Sequence, residues 1–265
     1  MPTPLPQRAQ HHPPKKSPEI FIPRTQTERA YHAVDSMLTH KQLSSKIKIS
    51  LQDNWTILGV RGSGKTTFAR HLLPQMNLIY PGMRAYILDS KGYGEFDDYS
   101  VLPNSLLWVE QYAPTPLKNV GVQVWKPPLN DLKQYNDWFG FILRDQKPCV
   151  ILVDEISSLA TKKGTEFPDN FTLLLKQGRI MDEAVISMSQ EMAYIDRNIL
   201  GQMTHFLRFY LINRYDLREA NKLLGFPQPE WYRQPDGEHA FFYRNMTKPT
   251  SPTYEFSGYQ EFLYQ

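Results

Sequence analysis

The string Gly59-Val60-Arg61-Gly62-Ser63-Gly64-Lys65-Thr66 matches G-x-x-x-x-G-K-[ST] in full. Its glycines let the backbone wrap closely and aim N–H groups inward, and a following helix adds partial positive charge at its N-terminus. Such a loop is a cradle for a phosphate chain. The binding residues expected there are Gly59, Arg61, Gly62, Ser63, Gly64, Lys65, Thr66 and Thr67. Lys65 would bridge the β- and γ-phosphates, the Thr66 hydroxyl would ligate Mg²⁺, and Thr67 would lie near the α-phosphate. A second string, Cys149-Val150-Ile151-Leu152-Val153-Asp154-Glu155, is an apolar run that ends in two carboxylates. Ligands gather at the carboxyl ends of parallel strands, so Asp154 is expected to hold Mg²⁺ through water. Glu155 points differently and is free to act as general base on the water that attacks the γ-phosphate. A third polar strand end, Gln190 after Ala184-Val185-Ile186-Ser187-Met188-Ser189, is placed to hydrogen-bond the γ-phosphate or that water. No Asn-Lys-x-Asp guanine-reading string occurs, so ATP is expected over GTP.

These residues need a scaffold, and the apolar pattern supplies one. Compact apolar runs at Trp55–Val60, Arg84–Leu88, Val120–Trp125, Cys149–Val153, Ala184–Met188 and Phe206–Ile212 read as buried strands. Helical patterns lie between them, from Thr66 to about Leu73 with Pro74 as a stop, and over Leu129–Asp145, Phe171–Ile180 and Leu217–Leu224. In the second of these, Leu132, Tyr135, Trp138, Phe139 and Ile142 form one stripe, which is core. Repeated βα units predict an α/β fold with a mostly parallel sheet and helices on both faces. Near the C-terminus, Ala240–Arg244 and Thr253–Phe256 are expected to pair as a short β-hairpin across Pro249-Thr250-Ser251-Pro252. Four regions follow: a Pro-rich basic arm at 1–24, an N-terminal helix and strand at 25–50, the core at 51–225 and an extension at 226–265.

Composition narrows the field. No apolar run approaches the roughly 18 to 20 residues that a bilayer span requires, and the Pro-rich start lacks the apolar stretch of a secretory signal. With Cys149 as the sole cysteine, no intrachain disulfide or zinc cluster is expected, which fits a reducing, intracellular compartment. Residues 1–50 carry eight basic side chains against three acidic ones, more than the whole chain's net +3, so the rest is slightly acidic. A basic arm of this kind fits a contact with DNA or an acidic partner, and equally a solvated tail. His11-His12 reads as tail composition.

The strand ending in Gln190, with Gly178-Arg179 before it and Asn198-Ile199-Leu200-Gly201-Gln202-Met203-Thr204-His205-Phe206-Leu207-Arg208-Phe209 after it, resembles the FtsK–HerA superfamily of DNA-pumping ATPases. Asp89-Ser90-Lys91-Gly92-Tyr93-Gly94-Glu95-Phe96 is similar to the turn that family carries after its second strand. Glu191-Met192 departs from the pattern, since many relatives place a basic residue and a proline there. The resemblance spans about Trp55 to Leu224 and implies a RecA-like P-loop NTPase that hydrolyses ATP with Mg²⁺. It further implies a homo-oligomeric ring, hexamer or pentamer, around double-stranded DNA. Among bare motor domains of this size, viral genome-packaging ATPases come first, with a capsid vertex or portal protein as partner. Their place is the host cytoplasm or the packaging vertex of the virion. Plasmid or chromosome mobilisation, and phage morphogenesis or secretion, are the alternatives. Rings of this kind complete the site with a cation from the next subunit. Arg179 is the first candidate for it, with Arg197 and Arg208 behind. Lys162, Lys163 and Lys91 are candidates for sequence-blind contacts with DNA phosphates.

Overall fold

A computed structural model describes residues 49–91, 96, 100–101, 121–127, 131–145, 148–160, 167–195 and 197–263. The arm at 1–24, nearly all of the 25–50 region, and Lys162-Lys163 lie outside the described residues, as does the Arg197 side chain.

Among the described residues, nine strands form one sheet in the order β3-β4-β2-β5-β6-β1-β7-β8-β9. The first seven in that order are parallel: β3 (Ser100–Val101), β4 (Gly121–Trp125), β2 (Arg84–Leu88), β5 (Cys149–Val153), β6 (Glu183–Ser189), β1 (Asn54–Leu58) and β7 (His205–Arg208). Every residue of β1, β2, β5, β6 and β7 is buried, as strands covered on both faces must be. β8 (Phe241–Asn245) runs antiparallel to β7 and pairs with β9 (Thr253–Phe256) in the register Phe241↔Phe256. The expected hairpin therefore exists, and it extends the main sheet.

The two faces are dressed by different helices. α2 (Leu132–Asp145) packs on α3 (Asp169–Met181), and their Tyr135, Trp138, Phe139, Phe171 and Leu174 join Leu58, Leu88 and Val153 of the sheet in one buried cluster. The expected aromatic stripe is thus core. Alternate residues of β1 face the other way: Trp55 meets Phe262 of α6 (Tyr259–Leu263) edge-on at 6.3 Å. Phe262 in turn contacts Phe68 of α1 (Lys65–Ile79) at 5.3 Å.

One expectation needs correcting. α1 does not stop at Pro74 but runs through it to Ile79. An interior proline costs on the order of 3 kcal/mol. Beyond it, however, Gln75 and Met76 continue the buried stripe of Phe68, Ala69, Leu72 and Leu73, and burying it outweighs one lost backbone bond. Two short helices were not expected at all, α4 (Arg197–Gln202) and α6. α5 (Arg214–Leu224) begins earlier than its apolar pattern, because the Asn213 side chain accepts from Tyr215 N–H and caps it. Among the described residues, no helix is long and apolar enough to cross a membrane.

Candidate functional site

Strand order decides which residues meet. β6 lies between β1 and β5, with Leu58 opposite Ser189 and Val153 opposite Ser187. The glycine loop, Gln190 and the acidic pair therefore emerge side by side at one sheet edge, with Gln190 in the middle.

The loop is fixed on both flanks: Gly59 N–H donates to Ser189 C=O at 3.1 Å and Val60 N–H to Tyr210 C=O at 3.0 Å. A Cβ on Gly59 would stand 2.6 Å from Ser63 Oγ and 2.7 Å from Phe209 Cβ, so only glycine fits the bend. Gly62 and Gly64 hold φ of 78° and 103°, the left-handed region that glycine enters without strain. Gly64 then caps α1, whose first turn holds no acidic residue, so the helix end keeps its partial positive charge. Lys65 is folded across the loop, donating to Gly59 C=O at 2.6 Å and Val60 C=O at 2.9 Å.

Asp154 is buried at the end of β5, its N–H bonded to Leu88 C=O at 3.1 Å. The next residue, Glu155, is extended and caps a short 3₁₀ turn over Ile156–Leu159, with its C=O accepting from Ser158 Oγ at 2.6 Å. That turn holds the Glu155 backbone while its carboxylate reaches inward. Glu155 Oε2 accepts from Gln190 Nε2 at 3.2 Å. Lys91 Nζ stands 3.3 Å from the same oxygen and 3.4 Å from Asp154 Oδ2. Burial alone pulls the Lys91 ammonium down, but the Asp154 and Glu155 carboxylates outweigh it and hold the group above the ordinary lysine range. Arg61, Gly62, Gly64, Lys65, Thr66, Thr67, Lys91, Gln190 and His239 line one cavity.

Does this cavity suit a Mg²⁺-nucleotide? The left-handed glycines, the acid-free start of α1 and the lysine at its first turn form a cradle of anionic preference, closed to any Cβ at Gly59. Ser63 Oγ is buried and has no hydrogen-bond partner within the described chain. Thr66 lines the cavity and Asp154 stands behind its wall, with its Oδ2 3.4 Å from the lining residue Lys91; both offer hard oxygen donors of the kind Mg²⁺ takes. The residues fit both groups.

Other candidates fall differently. Arg179 is exposed on the last turn of α3, which leads into the start of β6. It thus sits at the opposite sheet edge from its own cavity and could only serve a neighbour's. Arg208, the weaker candidate, is fully buried and bonded to Gln234 Oε1, Asn221 Oδ1 and Arg233 C=O at 2.8, 2.8 and 2.6 Å. It is a strut beneath the C-terminal segment and cannot reach a second subunit. Lys91, expected among the DNA contacts, belongs to the acidic pair. His239 was not anticipated, for no motif surrounds it. It reaches the cavity because antiparallel β8 begins at the edge where the parallel strands end, with Phe242 opposite Arg208.

The architecture, a mostly parallel sheet with a glycine loop between β1 and α1, defines an α/β P-loop NTPase fold of RecA type. Among solved structures it is similar to the genome packaging NTPase B204 of Sulfolobus turreted icosahedral virus 2. In complex with AMPPCP that protein shows 14% identity and a TM-score of 0.60 over 78% of this chain and 98% of its own. In complex with ATP-γS the figures are 15% and 0.62 over the same shares. B204 of Sulfolobus turreted icosahedral virus, a DNA-packaging ATPase, gives 13% and 0.62, again over 78% and 98%. No protein-family model matches the chain, and no curated protein sequence does.

Proposed function

We propose that this chain is an ATP-hydrolysing motor subunit that moves double-stranded DNA, with the packaging of a viral genome as the first assignment and the FtsK–HerA superfamily as its family. Hydrolysis rests on one observation: Gln190 and Lys91 converge on Glu155 Oε2, beside the cradle that holds Lys65. The link to DNA is supported by the shared fold with B204, 98% of whose length is matched by 78% of this chain.

The chain's own residues divide the work. The loop N–H groups and the α1 N-terminus bind the triphosphate, and Lys65 exchanges two neutral carbonyls for anionic oxygens, which make stronger hydrogen bonds. Thr66 and Asp154 would hold Mg²⁺, which when bound neutralises charge on the β- and γ-phosphate oxygens. Glu155 takes the proton of the attacking water, and Gln190 aims the Glu155 carboxylate. Lys91 balances the two carboxylates from the side. Arg179, exposed at the far edge, is assigned to the next subunit's cavity in a homo-oligomeric ring of six or five. DNA passes through the ring, which docks on a capsid vertex or portal in the host cytoplasm or the virion.

The test is the ATPase rate with and without long duplex DNA, beside Lys65→Ala. Strong stimulation by duplex DNA that vanishes in the variant supports the motor. Turnover indifferent to DNA at low salt refutes the DNA assignment, and no Lys65-dependent turnover under any condition refutes hydrolysis.

A further inference from the structure

His239 holds a backbone conformation that few residues other than glycine adopt. Its φ is 63°, one of two positive values at non-glycine residues among those described. Such residues are uncommon and persist where the surroundings impose them, often at ligand sites. The restraints here are visible on both sides. After it, Ala240 is buried and leads into β8, pinned against β7. Before it, Ala240 N–H closes a turn onto Gly237 C=O at 3.4 Å, with Gly237 at φ 110°. Asp236 N–H donates to Glu255 Oε1 at 2.8 Å, and the other oxygen of Glu255 meets Arg233 Nη2 at 2.6 Å. The segment is therefore strapped to β9, and the strap sets the His239 ring over the glycine loop. A Cβ added to Gly64 would stand 3.2 Å from both His239 Cβ and Nδ1. Half of the side chain stays exposed, and Glu238 Oε1, on an almost fully exposed side chain, lies 3.7 Å from His239 Nε2. A strained residue whose ring faces the phosphate cavity is not explained by packing.

We propose that His239 is a nucleotide-positioning residue: its ring donates a hydrogen bond to the phosphate chain held by Gly64, Lys65 and Thr66, which couples the C-terminal extension to the nucleotide. The inference rests on the nucleotide-binding reading above and adds to it a contact outside every motif. Imidazole N–H is a suitable donor there, and one such bond to a charged acceptor changes affinity by about tenfold.

Glycine is the informative substitution, since it relieves the positive φ while deleting the donor. His239→Gly is expected to keep or raise the melting temperature of the full-length protein and to weaken Mg²⁺·ATP-γS binding about tenfold by calorimetry. His239→Asn, which also tolerates the left-handed region and keeps an amide donor, is expected to bind more tightly than the glycine variant. Mg²⁺·tripolyphosphate, which lacks base and sugar, is expected to lose the same factor in His239→Gly. Wild-type affinity in His239→Gly, equal weakness in Gly and Asn, or a loss confined to ATP-γS would each overturn the assignment. If instead the wild-type protein shows no binding sensitive to Lys65→Ala, the nucleotide-binding reading fails, and that outcome is distinct from the other three.

Discussion

Replacing Lys91 by methionine keeps the length of the side chain and removes its charge. The ammonium lies 3.3 Å from Glu155 Oε2 and 3.4 Å from Asp154 Oδ2. At an effective dielectric of about 20, each contact represents roughly 5 kcal/mol of Coulomb attraction. Desolvation of the lysine offsets much of this, yet the upward shift of its pKa says that attraction wins. Deleting one partner of a buried ion pair typically costs about 3 to 5 kcal/mol, because the other charge is left uncompensated. Lys91 is 17% exposed at the cavity wall, so the loss belongs at or below the low end, about 2 to 3 kcal/mol. For a chain of this size that is a fall in melting temperature of about 4 to 12 °C.

If Asp154 holds Mg²⁺ as proposed, the ion competes with Lys91 for that carboxylate. In nucleotide-free protein, millimolar Mg²⁺ should raise the melting temperature of Lys91→Met by several degrees more than it raises the wild type. A pH series gives an independent check with a definite sign. The folded pKa of Lys91 is raised, so its stabilising effect is complete below its ordinary value of 10.5 and is lost as pH climbs through the higher folded value. Wild-type stability should therefore fall more steeply above about pH 10.5 than that of Lys91→Met. Equal Mg²⁺ responses in the two proteins, or an unchanged melting temperature in the variant, would show that Lys91 does not neutralise the acidic pair.

Gln190→Ala removes the donor to Glu155 Oε2. It should leave ATP-γS affinity within about twofold and lower kcat by about 100-fold, read from equilibrium binding beside single-turnover hydrolysis. Glu155→Gln should likewise bind and not turn over, with a loss of about 100- to 10,000-fold in kcat. Gly59→Ala drives a methyl group into Ser63 Oγ and Phe209 Cβ, with an expected cost of about 1 to 3 kcal/mol by denaturant titration and a parallel loss of nucleotide affinity. Arg208→Met leaves Asn221 Oδ1 without its donor, while Gln234 Oε1 and Arg233 C=O keep Leu211 N–H and Asn221 Nδ2, and should destabilise by about 1 to 3 kcal/mol with no specific effect on kcat of the folded fraction.

What the chain announces in its sequence is whatever local chemistry dictates. The bend at Gly59 to Gly64 demands glycine, a parallel strand buried on both faces demands an unbroken apolar run, and the carboxylates proposed for catalysis stand at the end of one. Each requirement falls within eight consecutive residues, so the phosphate loop, β5 with its acidic pair, and β6 with Gln190 could all be read directly. Residues whose roles depend on distant pairing could not. Lys91 looks like any lysine after a strand until β2 is seen beside β5. Arg208 ends an apolar strand and so reads as a candidate for the cation, and only the fold shows Asn221, Gln234 and Arg233 closing over it.

The C-terminal extension carries this lesson furthest. Its composition shift after Phe226 suggests an appendage, and its hairpin is legible from turn residues alone. The strand direction is not legible. A parallel β8 would have begun at the opposite edge of the sheet, with His239 far from Lys65. Antiparallel pairing with β7 instead brings the turn before β8 to the edge where β1, β5 and β6 deliver their functional ends. A segment with no motif thereby reaches the phosphate cavity, and the positive φ of His239 is the local trace of that long-range constraint.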